Sequence, residues 1–94
     1  MLEVEIYAFE GPTDNVQRVS KGTIVYDNEK LIVRPLETQY NRLFRNLLGS
    51  PIQVLNAEGD WVQFNPKTDP EGWLRNLHLE LRTYALRASE PIEK

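Results

Sequence analysis

Leu2, Val4, Ile6 and Ala8 alternate with Glu3, Glu5, Tyr7 and Phe9. This is the period of two that sets one face of a β-strand against a core. The turn formers Glu10-Gly11-Pro12-Thr13-Asp14-Asn15 end the strand in a surface loop. Val16 to Lys21 carries no clear period. Thr23-Ile24-Val25-Tyr26 and Leu31-Ile32-Val33 are then β-branched runs separated by the polar Asp27-Asn28-Glu29-Lys30, which predicts a hairpin. Both runs are almost continuously apolar, so both strands are expected inside the sheet with each face at least partly covered.

Beyond Pro35 the period changes. Leu36, Tyr40, Leu43, Phe44, Leu47 and Leu48 follow helical spacing, with Glu37, Asn41, Arg45 and Asn46 on the other side. The spacing predicts an amphipathic helix over 36–48, with Gly49 as a left-handed C-cap and Pro51 preventing continuation. Ile52-Gln53-Val54-Leu55 and Trp61-Val62-Gln63-Phe64 flank Asn56-Ala57-Glu58-Gly59-Asp60 and predict a second hairpin.

The last third, Asp69 to Ala88, has the densest apolar patterning. Asp69 can accept from first-turn amides, Pro70 fits where no amide is needed, and Glu71 favours the positive end of the helix dipole. Leu74, Leu77, Leu81, Tyr84, Ala85 and Ala88 would form one stripe of a long helix, but Leu79 and Leu86 would point the other way. Because Leu77 to Leu81 and Tyr84 to Ala88 also alternate, the helix is expected to stop between Leu77 and Arg82, giving 70–81, with a last strand over 83–89. The tail Glu90 to Lys94 is polar and expected to fray. The pattern as a whole predicts an α+β fold. A small, mostly antiparallel sheet is built from an N-terminal strand and two hairpins and covered by two amphipathic helices, all in a single domain spanning 1–94.

With 40% hydrophobic and 27% charged residues, the 94-residue chain has an ordinary globular composition. Surface scaling gives burial of roughly 65% of the unfolded chain's surface, enough for one modest core. There is no Cys, which excludes disulfides, thiolate metal sites and a Cys nucleophile. The N-terminal residues lack the charge and apolar run of a secretory signal, so a cytoplasmic location is expected and no membrane contact.

Candidate chemistry is sparse. The one His, His78, has no HxxxH or HxxxE partner. Asp60, Asp69 and Glu71 have local roles in a turn, a cap and a helix dipole. No GxSxG, GxGxxG or Walker spacing is present, and no metal or cofactor is expected. The net charge of −3 opposes general phosphate binding. Its distribution is uneven: residues 1 to 16 carry four acids and no base, whereas 34 to 48 carry Arg34, Arg42 and Arg45 against Glu37 alone.

The leading expectation is therefore a binding or regulatory module acting through protein contacts or self-association, with Trp73, Leu79 and Leu86 as its exposed apolar surface. The alternative is an RNA-contacting accessory protein using Arg42, Arg45, Arg75 and Arg82. Below these stands an enzyme subunit whose site a partner completes.

Overall fold

The structure is a computed structural model that describes residues 1–81 and 85–94. In chain order its elements are β1 (Leu2–Glu10), β2 (Gln17–Asp27), β3 (Lys30–Pro35), a 3-10 turn (Thr38–Tyr40), α1 (Asn41–Leu48), β4 (Ile52–Leu55), β5 (Trp61–Phe64), α2 (Pro70–Leu81), β6 (Leu86–Ala88) and β7 (Ile92–Glu93). The expected α+β class holds: the sheet pairing is antiparallel and two helices accompany it. Strand β1 is central. Strand β2 lies on one side of it with β3 beyond, and β6 and β7 lie end to end along the other side.

The alternation in β1 does what its period requires. Leu2, Val4, Ile6 and Ala8 are buried and form one face with Ile24, the cross-strand partner of Val4. Against that face pack Trp73, Leu74, Leu77 and Leu81 of α2, together with Phe44 and Ile52. Helix α2 has the bounds its sequence predicts. The Asp69 carboxylate accepts from the Gly72 amide at 3.1 Å, and the Asp69 carbonyl accepts from the Trp73 amide at 2.9 Å, so two first-turn donors are satisfied before the helix begins.

Several expectations are corrected. Strand β2 starts at Gln17, well before Thr23. The pairs Ile6 with Gly22 and Tyr7 with Ser20 leave Lys21 as an extra residue, and this bulge disrupts the alternation by which the first half of the strand would have been recognised. Strand β3 is an edge and not an interior strand, with Leu31, Val33 and Pro35 half-buried while Lys30, Ile32 and Arg34 are exposed. Leu36 is not helical. Its amide donates to the Lys21 carbonyl at 3.0 Å, extending the strand contact past Pro35, and it stays 64% exposed. Gly49 has φ −93° and is not a left-handed cap; the helix ends instead with the Ser50 hydroxyl donating to the Asn46 carbonyl. Strands β4 and β5 form a separate two-stranded sheet.

The expected last strand falls partly outside the described residues, at Thr83 and Tyr84, and its remainder is β6 pairing with Ile6 to Ala8. The tail is not frayed, because Ile92 and Glu93 pair with Glu3 and Leu2. Between β6 and β7 the register shifts by one residue. Ser89 spans the shift, its amide donating to the Glu5 carbonyl and its hydroxyl oxygen accepting from the Glu5 amide at 2.8 Å.

Candidate functional site

The edge of β3 is open. Its connection to β2 is a two-residue turn in which Asn28 and Glu29 have φ of 51° and 64°, the left-handed pair of a type I′ hairpin. In such a hairpin the residues flanking the turn, Asp27 and Lys30, form a hydrogen-bonded pair. Hydrogen-bonded pairs then recur at every second residue, at Val25 with Ile32 and Thr23 with Arg34. The amide and carbonyl groups of Leu31 and Val33 therefore point away from β2, and no other described backbone segment bonds to them.

Beside this edge runs α1. Val33, Pro35, Asn41, Arg45 and Leu48 line a cleft of about 370 Å³ between the strand and the helix. Its floor is apolar, from Val33, Pro35 and Leu48, and its rim is polar, from Asn41 and Arg45. These two elements carry four cations, Arg42 and Arg45 on α1 and Lys30 and Arg34 on the face of β3 turned away from the cleft. All are exposed, and none is paired with a carboxylate among the described residues. Of the neighbouring acids, Glu37 receives a hydrogen bond from the Gln39 side-chain amide, Glu29 sits in the hairpin turn and Asp27 lies opposite Lys30 on β2.

Lys21 marks the inner end of the same region. At the bulge its side chain turns inward to 11% exposure, pairs with Glu10, and reaches the Tyr40 hydroxyl at 3.3 Å, with the ammonium 4.6 Å from the Tyr40 ring centre. The Glu10 hydrogen bond raises the Lys21 pKa above its ordinary 10.5 against the opposing effect of burial. Lys21 is thus held as a cation, a fastener between β2, the end of β1 and the turn before α1, and not an amine base. Gly22, next to it, has φ +140°, and a Cβ there would overlap the Arg34 carbonyl oxygen and lie 2.8 Å from Pro35 Cα. Only glycine lets β3 approach β2 this closely.

The residues expected to form an apolar surface separate. Trp73 is fully buried and offers no surface; its indole N–H donates to the Ser50 carbonyl at 3.0 Å, tying α2 to the turn after α1. Leu79 is half-buried on α2. Leu86 is half-buried in β6 and lines a second groove, about 470 Å³, with Leu47, Pro51, Ile52, Leu77 and Leu81. The exposed tryptophan is Trp61 at 68%, opposite Leu55 at 54% on the outer face of the second hairpin. Its signal was available in strand alternation, since Val62 and Phe64 turning inward send Trp61 and Gln63 outward.

The four arginines expected to converge do not act alike. Arg42 and Arg45 are exposed on α1, whereas Arg75 is paired with Glu71 at 3.5 Å and with Glu93 of β7. Arg82 lies outside the described residues. His78 is half-buried with Nδ1 lacking a partner among the described residues, and no group of three metal-ligating side chains occurs among them. No helix among the described residues is long and apolar enough to cross a membrane. No protein-family model, curated protein or solved structure matches the chain.

Proposed function

We propose that the chain is a binding module that acts through protein contacts and takes its partner by strand addition at the β3 edge, over the cleft against α1. The observation that supports this reading is the conjunction of unpaired backbone groups at Leu31 and Val33 with a cleft beside them. In strand addition the edge supplies main-chain hydrogen bonds and an adjoining pocket selects alternate side chains of the incoming segment. An exposed edge is otherwise an aggregation hazard, and here it is short, charged, and continuous with a pocket.

The RNA reading has narrower support, since Arg75 is engaged by two carboxylates away from the β3 edge.

Selection of a displayed random-peptide library on the wild-type protein tests the reading, with Val33→Pro as counter-screen. The Val33 amide points outward, so proline there removes the donor a partner strand needs without breaking the β2–β3 ladder. Enriched peptides should lose binding to Val33→Pro while its circular dichroism spectrum stays that of the folded wild type, the lost Val33 packing lowering only its melting temperature. Peptides that bind both proteins equally would refute strand addition at this edge.

A further inference from the structure

Resting on strand addition at β3, we infer that the partner is an acidic extended segment in which carboxylate and aliphatic side chains alternate. The register dictates this pattern. A strand added beside β3 continues its alternation of faces. Residues sharing the face of Lys30, Ile32 and Arg34 lie next to two exposed cations separated by one apolar position, whereas residues sharing the face of Leu31 and Val33 enter the cleft floored by Val33, Pro35 and Leu48. Carboxylates suit the first face and branched aliphatic side chains the second. Arg45 at the cleft rim, with Arg42 one turn earlier on α1, extends the positive potential above the added strand.

The same charges disfavour the simplest competing occupant, a second copy of β3. Antiparallel pairing of two β3 strands about Ile32 would set Lys30 of each copy against Arg34 of the other, and like charges directly opposite are destabilising. The overall net charge of −3 sharpens the contrast. The residues from 30 to 48 carry four cations and Glu37 alone, with Asp27 and Glu29 at the hairpin end, so the local charge favours an acidic segment at this edge.

The test uses the full chain and three labelled, end-capped nonapeptides that alternate Glu with Val, Gln with Val, and Lys with Val, plus a labelled ten-nucleotide RNA. Binding is read by fluorescence anisotropy in low and moderate salt. The Glu/Val peptide should bind, with the Gln/Val peptide about tenfold weaker and the Lys/Val peptide not binding. Arg34→Glu should weaken the Glu/Val peptide about tenfold, a loss of ~1.4 kcal/mol; Arg45→Glu, on the cleft side, should weaken it less, and added salt should reduce its affinity.

Equal binding of the Glu/Val and Gln/Val peptides would overturn the acidic partner and leave strand addition standing. Loss of Glu/Val binding in Arg34→Glu but not in Val33→Pro would overturn strand addition itself. RNA that binds more tightly than the Glu/Val peptide and displaces it would replace the peptide partner with nucleic acid. No binding of the Glu/Val peptide at high micromolar concentration, with both substituted proteins folded, would refute the inference.

Discussion

Gly22→Ala should be among the most damaging single-methyl additions the chain can suffer. Gly22 sits at the bulge with φ +140°, where its Cα faces the backbone of β3. An added Cβ would overlap the Arg34 carbonyl oxygen and crowd Pro35 Cα at 2.8 Å. Both obstacles are main chain, so no side-chain rotation relieves them. Holding Ala at such a φ costs on the order of 1–3 kcal/mol, and moving β3 outward also weakens the neighbouring bond from the Leu36 amide to the Lys21 carbonyl, about 1 kcal/mol. The sum is about 3 kcal/mol, to be set against a total stability on the order of 5–15 kcal/mol for a small domain.

The control is Gly59→Ala. Gly59 also has positive φ, +85°, but a Cβ there meets nothing within 4 Å, leaving only conformational strain of about 1 kcal/mol. Thermal unfolding followed by circular dichroism should place Gly59→Ala roughly 4–8 °C below wild type and Gly22→Ala on the order of three times as far below. Urea titration should give the same ranking. If the two variants lie within about 0.5 kcal/mol of each other, the tight approach of β3 to β2 is not what constrains Gly22.

Three further substitutions test separate joints of the fold. Trp73→Phe keeps most of the apolar volume but leaves the Ser50 carbonyl without its donor, so denaturant titration should show a loss of about 1–2 kcal/mol. Asp69→Ala removes the cap of α2 and should cost about 1 kcal/mol, with Asp69→Asn closer to wild type. Lys21→Met tests the ion pair with Glu10 through pH. The folded-state pKa of Lys21 is raised above 10.5, chiefly by Glu10, so its contribution to stability is complete below 10.5 and disappears as pH rises through the folded-state value. Melting temperatures between pH 9 and 12 should therefore fall more steeply for wild type than for Lys21→Met; parallel slopes would refute the role given to this pair.

How much of this architecture was legible depended on whether the deciding interaction was local. The cap of α2 lies within three residues of sequence, and β1 keeps an unbroken alternation, so both could be read directly. The first half of β2 was hidden because one extra residue, Lys21, breaks the period between Val19 and Gly22. Leu36 matched the helical spacing of α1, but a long-range bond from its amide to the Lys21 carbonyl ties it to β2. Trp73, expected as part of an exposed surface, lies in the core instead, since its burial depends on how α2 lies across the sheet.

The candidate site was legible only as charge. The excess of Arg34, Arg42 and Arg45 was visible in the sequence, but the open edge that gives those charges a use follows from strand order, which no periodicity encodes.

Amide hydrogen exchange at β3 tests strand addition most directly. In the free protein, the Leu31 and Val33 amides should exchange fast while Ile32 and Arg34, bonded to β2, are protected. Saturating Glu/Val peptide should slow Leu31 and Val33 by at least about tenfold, as expected for amides that gain a strand partner. Leu31 and Val33 protected as strongly as Ile32 before any ligand is added, or unchanged when the peptide is bound, would contradict the account.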